Sequence, residues 1–249
     1  KAFKAQRIRW AFGAMQILKG RWNWLASNRH LTGGQRYHFL TGWFSWFADA
    51  LHLIFTTAAL VWTAGMLAFP KYVSVPLPLF LIPVLGFFVC KILFGPILYA
   101  SRVRCSWRDL VAASVASMGL SHAIARGVFD GLTQKRGHFV RTTKGVHGAG
   151  WMGALGPVRE ETLMLAALAI AIAGVLGRMG THNFEALLWV AVLAAQALPY
   201  VSATASALVA AHDAERAKRL ASRPSATVIP FPMLGNSPAG PQAASLGRR

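Results

Sequence analysis

Acidic residues and cysteine are both scarce in this chain of 249 residues. It contains 8 Asp and Glu against 26 Lys and Arg, a formal net charge of +18, and only two cysteines. Cys90 and Cys105 lack the spacing of a metal or redox motif, so we assign both to packing. Charged residues amount to 14% of the chain and hydrophobic residues to 55%. This composition argues against a soluble nucleic-acid-binding protein, despite the positive charge, and favours lipid as the solvent.

Four apolar stretches are long enough for membrane-spanning helices, which need about 20 residues. The third is the shortest and could begin as early as Pro157. The second contains three prolines and is predicted to be kinked. The four predicted spans run from about Phe44 to Phe69, Leu77 to Tyr99, Thr162 to Leu176 and Phe184 to Ala210.

Lys and Arg are concentrated in three segments, which precede the first span, separate the second from the third, and follow the fourth. These segments contain eight, nine and six of them, whereas the two short connections contain only Lys71 and Arg178, and Lys91 lies inside the second span. Because cytoplasmic loops collect Lys and Arg, we predict that the basic segments and both termini are cytoplasmic.

Two of the basic segments also contain a predicted amphipathic helix. Between Trp10 and Leu25, apolar residues near helical spacing are mixed with Lys, Arg and Trp, which is typical of a helix in the membrane interface. A second such helix is predicted from Trp107 to Leu132. The polar, glycine-rich stretch from Gln134 to Gly150 is predicted to be a loop, and the chain after about Ser222 has the composition of a disordered tail.

The predicted fold is therefore an all-α membrane protein with four spans, two amphipathic interface helices and a disordered C-terminal tail. Its parts are a cytoplasmic segment with the first interface helix (1–42), two spans (43–99), the second amphipathic helix with its loop (100–158), two further spans (159–211) and a basic tail (212–249).

The first segment contains the motif Gln-x-x-Arg-Trp, formed by Gln6, Arg9 and Trp10. In a helix this spacing puts all three side chains on one face. Arg can bind a phosphate with two parallel donors, Trp can stack on the face of a sugar ring, and Gln offers a donor and an acceptor. Such a group suits a sugar-transfer site. The alternative is an interface helix with ordinary Arg and Trp anchors.

A second motif lies in the predicted loop, which contains Phe139, Arg141, Thr142 and Lys144. With both motifs in this order among spans and an interface helix, the chain resembles the C-terminal membrane portion of bacterial processive family-2 glycosyltransferases, the cellulose synthase and β-glucan synthase group. The stretches 9–25 and 34–46 are most similar to the β-(1,3)-type and cyclic β-glucan synthases.

The resemblance implies a role for each motif. Trp10 would stack on the acceptor sugar, with Gln6 and Arg9 near the acceptor and the donor diphosphate. The loop would be a gate that covers the nucleotide sugar, through Phe139, Thr142 and Lys144. Arg141 departs from the family pattern at this point, and its charge would face either the diphosphate or lipid headgroups. The resemblance also implies the inner membrane of a bacterium as the location.

The acidic motifs of that family are missing. Its donor-binding and metal-binding aspartates and its Thr-Glu-Asp base precede Gln-x-x-Arg-Trp, whereas this chain has no Asp-x-Asp and no Thr-Glu-Asp. We therefore expect a fragment that binds no metal or cofactor by itself. In the full-length enzyme the resemblance implies an upstream transferase domain that uses Mg or Mn with UDP-glucose. The implied partners are the nucleotide sugar, the glucan chain and membrane lipid, with no nucleic acid.

Several ionisable residues near the spans leave alternatives open. Asp49 and His52 lie one turn apart, and a mutually satisfied pair is favoured slightly over a functional site. Lys91 either extends toward the cytoplasm or lines a polar conduit. Arg159, Glu160 and Glu161 are predicted to be a solvated helix start.

A rival hypothesis from another class is a four-span transporter, or a non-catalytic membrane subunit that binds anionic lipid. It predicts that the chain acts without an upstream domain and tolerates replacement of Thr142 and Lys144.

Overall fold

The computed structural model describes residues 2–134, 153 and 155–221, and within these ranges the chain is helical, with no strand. The all-α prediction is confirmed. The predicted loop motif and the part of the C-terminal tail after Ala221 lie outside the described residues. The helices are α1 (Ala2–Ser27), α2 (Gly33–Ala68), α3 (Pro78–Arg102), α4 (Trp107–Met118), α5 (Ser121–Thr133), α6 (Arg159–Met179) and α7 (Phe184–Ala221), with a short 3-10 turn (Gly156–Val158) before α6.

Four helices are long and apolar enough to cross a membrane: α2, α3, α6 with its preceding turn, and α7. They coincide with the four predicted spans, so the prediction of a multi-pass membrane protein is confirmed. The first spanning helix, α2, begins at Gly33 and not near Phe44 as predicted, because a capping box starts the helix there. The Thr32 hydroxyl accepts a hydrogen bond from the Gln35 N–H, and the Gln35 side chain accepts one from the Thr32 N–H.

The last helix extends beyond the predicted span and reaches Ala221 instead of ending near Ala210. Its final part is rich in Ala, Glu, Lys and Arg, which are strong helix formers, so the helix continues after the apolar residues end.

The predicted single helix from Trp107 to Leu132 is wrong, because the chain turns at Gly119 and Leu120 between α4 and α5. Gly119 packs directly on α7. A Cβ atom at this position would lie 3.1 Å from the backbone of Ala203, so only glycine fits without a shift. Glycine also weakens a helix interior, which allows the chain to bend there.

Two apolar cores stabilise the bundle. The larger one lies among the four long helices and includes Met66, Leu168, Trp189 and Tyr200. The smaller one joins α1, α2 and α5 through Met15, Ala50 and Val128, among others.

The contact between α1 and α5 is very close because α5 presents glycines. A Cβ atom on Gly127 would lie 2.6 Å from the Ile8 carbonyl oxygen, and one on Gly131 would lie 2.7 Å from the Met15 Cβ. The Gly-x-x-x-Gly spacing therefore brings the two backbones together, as it does in membrane helix pairs.

The described parts of all three basic segments lie at one end of the bundle. There α1 packs on α5, α5 contacts the start of α6, and the turn before α5 contacts the middle of α7, which continues from there to its basic C-terminal part. We call this the basic end. The two short connections, with Lys71 and Arg178, lie at the opposite ends of the same long helices.

Candidate functional site

The three motif residues of α1 lie away from α5. The residues of α1 that contact the α5 glycines include Ile8, Ala11 and Met15. At about 100° per residue, Gln6, Arg9 and Trp10 project from roughly the opposite side of the helix. The packing of α1 on α5 is therefore compatible with the predicted common face of Gln6, Arg9 and Trp10, because this face does not point toward α5.

Trp10 is half exposed, with 50% of its surface accessible. One face of its ring is covered by the guanidinium of Arg7, whose central carbon lies 4.9 Å from the ring centroid, and Arg7 also stacks on Phe3 at 5.1 Å. Sequence reasoning missed Arg7, although its spacing of three residues to Trp10 and four to Phe3 is the signal that predicts such a stack.

The C-terminal end of α5 is fixed by side chains of α1. The Gln16 amide donates to the carbonyls of Gly131 and Gln134, both at 2.8 Å, and Lys19 Nζ donates to the Leu132 carbonyl at 2.7 Å. These bonds satisfy carbonyls that the helix end leaves without intrahelical partners.

The residues that follow the segment 135–154 contact the N-terminal end of α1. Lys4 Nζ donates to the Pro157 carbonyl at 2.8 Å and forms an ion pair with Glu161 Oε1 at 2.5 Å. Both flanks of the segment 135–154 are therefore bonded to α1. Their attachment points, Lys4 and Gln16, are 12 residues apart, or about 18 Å of helix. The predicted gate residues of this segment, Phe139, Arg141, Thr142 and Lys144, lie outside the described residues.

The start of α6 is solvated at Arg159 and Glu160, which are exposed, but the prediction is wrong for Glu161. Glu161 is 1% exposed and pairs with Lys4. Glu160 accepts from the Arg126 guanidinium at 2.5 Å and contacts His122 Nε2 at 3.0 Å. Two adjacent carboxylates thus connect α6 to α1 and α5. Sequence reasoning missed this because the cationic partners are remote in the chain.

Asp49 pairs with Lys91 and not with His52, so the predicted Asp49–His52 pair is wrong. Lys91 Nζ lies 3.2 Å from Asp49 Oδ1, and the Ser121 hydroxyl donates to the same oxygen at 2.6 Å. His52 instead lies among rings, with its centroid 5.6 Å from that of Phe88. It is 6% exposed, and neither ring nitrogen has a hydrogen-bond partner in the described part of the chain.

A line of buried polar side chains follows the contact between α2 and α7. The Trp189 indole N–H donates to the Thr63 hydroxyl at 3.0 Å, and both residues are buried. Further along α7, the amide of Gln196 and the hydroxyl of Tyr200 are buried without a partner among the described residues. Buried polar groups normally have partners, so these atoms are unused donors and acceptors inside the bundle.

Within the described ranges, no three His, Cys, Asp or Glu side chains lie together in a way that could bind a metal ion.

Together these features define a multi-pass α-helical membrane protein with charged contacts concentrated at one end of the bundle. Comparisons of the chain with protein-family models, with curated proteins and with solved structures find no match. The function is therefore argued from the contacts themselves.

Proposed function

We propose that this chain is the acceptor-binding and polymer-translocating membrane part of a processive β-glucan synthase, which transfers glucose from a nucleotide sugar to a growing polysaccharide. In this proposal Gln6, Arg9 and Trp10 bind the acceptor end and the donor diphosphate. The loop with Phe139, Arg141, Thr142 and Lys144 covers the donor. The basic end faces the cytoplasm of a bacterium, where an upstream transferase domain supplies the catalytic aspartates.

The strongest support is the attachment of both loop flanks to the motif helix. Gln16 and Lys19 bind the end of α5, and Lys4 binds Pro157 and Glu161. The segment between these flanks therefore begins and ends on the helix that contains Gln6, Arg9 and Trp10. A donor gate must return to one position over its site, and closure over a reacting sugar excludes water.

The surface around Trp10 also suits a sugar. Arg7 covers one face of the indole ring, and half of the Trp10 surface is accessible to a ligand. An aromatic face packs well on the C–H face of a sugar ring, and a guanidinium behind the indole adds positive charge near a diphosphate.

The decisive experiment measures polymer synthesis from a nucleotide sugar by the full-length protein in membrane vesicles. Trp10→Ala should lower synthesis at least about tenfold, which corresponds to ~1.4 kcal/mol of lost transition-state binding. Trp24→Ala is the matched control, because Trp24 is similarly exposed and lies on the same side of α1, about 21 Å further along. Wild-type synthesis by Trp10→Ala would argue strongly against the acceptor role.

Two further observations separate this proposal from a transporter or lipid-binding subunit. Thr142→Ala and Lys144→Ala should each reduce synthesis if the loop binds the donor, whereas the rival hypothesis predicts that both are tolerated. The sequence upstream of Lys1 should contain an aspartate-rich transferase domain. A full-length protein without such a domain would contradict the proposed function.

A further inference from the structure

A cavity of about 390 Å³, with a polar cluster in a lining that is otherwise mostly apolar, lies among α2, α3, α4, α5 and α7, near the basic end. Its polar lining includes Asp49, His52, Lys91, Ser117 and Ser121. The volume is within the range of small-molecule sites. Lys91 and Ser121 both bond to the same oxygen of Asp49, Oδ1, so the second oxygen keeps its capacity to accept.

His52 is the second sign that this cavity takes a ligand. It lines the cavity, is 94% buried, and neither of its ring nitrogens has a partner in the described part of the chain. An imidazole always has at least one N–H donor. A buried donor without a partner is costly, so a ligand oxygen or water at this position would stabilise the site.

An apolar groove continues from the polar cavity along the gap between α2 and α3. A second cavity of about 480 Å³ is lined by these two helices alone and shares His52, Phe88 and Lys91 with the first. The other residues that line it are apolar except for the backbone. A third cavity of about 310 Å³ continues from Phe55 and Val84 to the region of Trp62 and Phe80.

The polar cavity and the apolar groove follow each other along α2 in the same order as the headgroups and acyl chains of a membrane. Asp49 lies 19 residues before the end of α2 at Ala68, or about 29 Å of helix, close to the ~30 Å of a bilayer's hydrocarbon core. The Asp49–Lys91 pair is therefore near the level of lipid headgroups. The groove from Asp49 to Trp62 extends about 20 Å into the apolar region, longer than the ~15 Å of a single leaflet.

From this arrangement we propose that the cavity and groove bind one zwitterionic phospholipid, with its phosphate at Lys91 and His52, its primary ammonium at Asp49, and one acyl chain between α2 and α3. The opposite charges of Asp49 and Lys91 match a head that has both signs. A purely anionic head would have its negative charge next to the Asp49 carboxylate, and a quaternary ammonium has no N–H to donate to Oδ2. This inference is independent of the glucan-synthase proposal, since it concerns a different face of the bundle.

The test is lipid binding by the purified, delipidated chain in detergent, measured by native mass spectrometry. Three lipids with identical acyl chains are compared: phosphatidylethanolamine, phosphatidylcholine and phosphatidylglycerol. One phosphatidylethanolamine should bind per chain, about tenfold more tightly than either of the others. Lys91→Gln should weaken all three about tenfold, and Asp49→Asn should remove the preference for phosphatidylethanolamine. The control Lys71→Gln changes an exposed lysine in the connection between α2 and α3, far from the cavity along both helices, and should have no effect.

A second pair of variants tests the groove without changing the charged pair. Ala58→Phe fills the groove from α2 and should lower the affinity for phosphatidylethanolamine at least fivefold. Ala64→Phe is the matched control, because Ala64 is exposed on the same helix and lines neither groove cavity. Equal or tighter binding of phosphatidylglycerol would overturn the proposal, as would unchanged affinity in Lys91→Gln or equal effects of Ala58→Phe and Ala64→Phe.

Discussion

Lys4 and Glu161 are separated by 157 positions in the chain, yet their side chains form an ion pair of 2.5 Å where α1 meets the start of α6. Glu161 is 1% exposed, and the same lysine also donates to the Pro157 carbonyl. One side chain of the motif helix thus neutralises a buried carboxylate and fixes the chain that follows the predicted gate.

Removal of the lysine should therefore destabilise the protein. Lys4→Met leaves the Glu161 carboxylate buried without its cation, and we expect a loss of about 1–3 kcal/mol in the free energy of unfolding. Unfolding in detergent micelles by a chemical denaturant measures it. The same substitution in a Glu161→Gln background should cost less than about 1 kcal/mol, because the uncompensated charge is gone. Equal costs in the two backgrounds would show that the pair contributes nothing.

The glycines of α5 provide a second test. Gly127→Ala places a Cβ 2.6 Å from the Ile8 carbonyl oxygen and 2.9 Å from the Ala11 Cβ, so α1 and α5 must separate. Such overpacking should cost about 1–3 kcal/mol of unfolding free energy. Gly20→Ala on α1 is the control, since nothing lies within 4 Å of its Cβ position and alanine favours the helix by up to about 1 kcal/mol. Destabilisation by Gly20→Ala of the same size would refute the close-contact explanation.

Gln16 should control the local stability of the last turn of α5. Its amide donates to the carbonyls of both Gly131 and Gln134. Gln16→Leu removes two hydrogen bonds of about 0.5–1.5 kcal/mol each, so the amides of this turn should exchange with deuterium about tenfold faster. Gln6 lies about 15 Å from Gln16 along α1, so Gln6→Leu should leave that exchange unchanged. Protection that survives in Gln16→Leu would mean that the end of α5 does not depend on α1.

The interhelical bond between Trp189 and Thr63 offers a test inside the bundle. Thr63→Val keeps the side-chain shape but leaves the buried indole N–H without its acceptor. Measured interhelical hydrogen bonds in membrane proteins average about 0.6 kcal/mol and reach about 1.7, so we expect a loss of about 1 kcal/mol. In the control Thr57→Val, the exposed hydroxyl donates to the Leu53 carbonyl of its own helix, and the change should be close to zero. A control as costly as Thr63→Val would contradict the assignment.

The sequence by itself determined the number of spans, the end of the bundle at which the positive charge collects, and the common face of Gln6, Arg9 and Trp10. Each of these follows from local rules, since apolar length sets a span and helical spacing sets a face. The helix ends were less certain, because the capping box at Thr32 and Gln35 and the helix-forming residues after Ala210 extend α2 and α7 beyond their apolar parts.

Only the tertiary structure decided which charges pair. Asp49 was expected beside His52, one turn away, but it pairs with Lys91 on another helix, and Glu161 pairs with Lys4 instead of facing solvent. Spacing along a helix predicts neighbours within that helix alone. Partners on different helices depend on how the bundle packs, and that packing depends on close contacts such as those of Gly119, Gly127 and Gly131, which allow backbones to approach where any side chain would keep them apart.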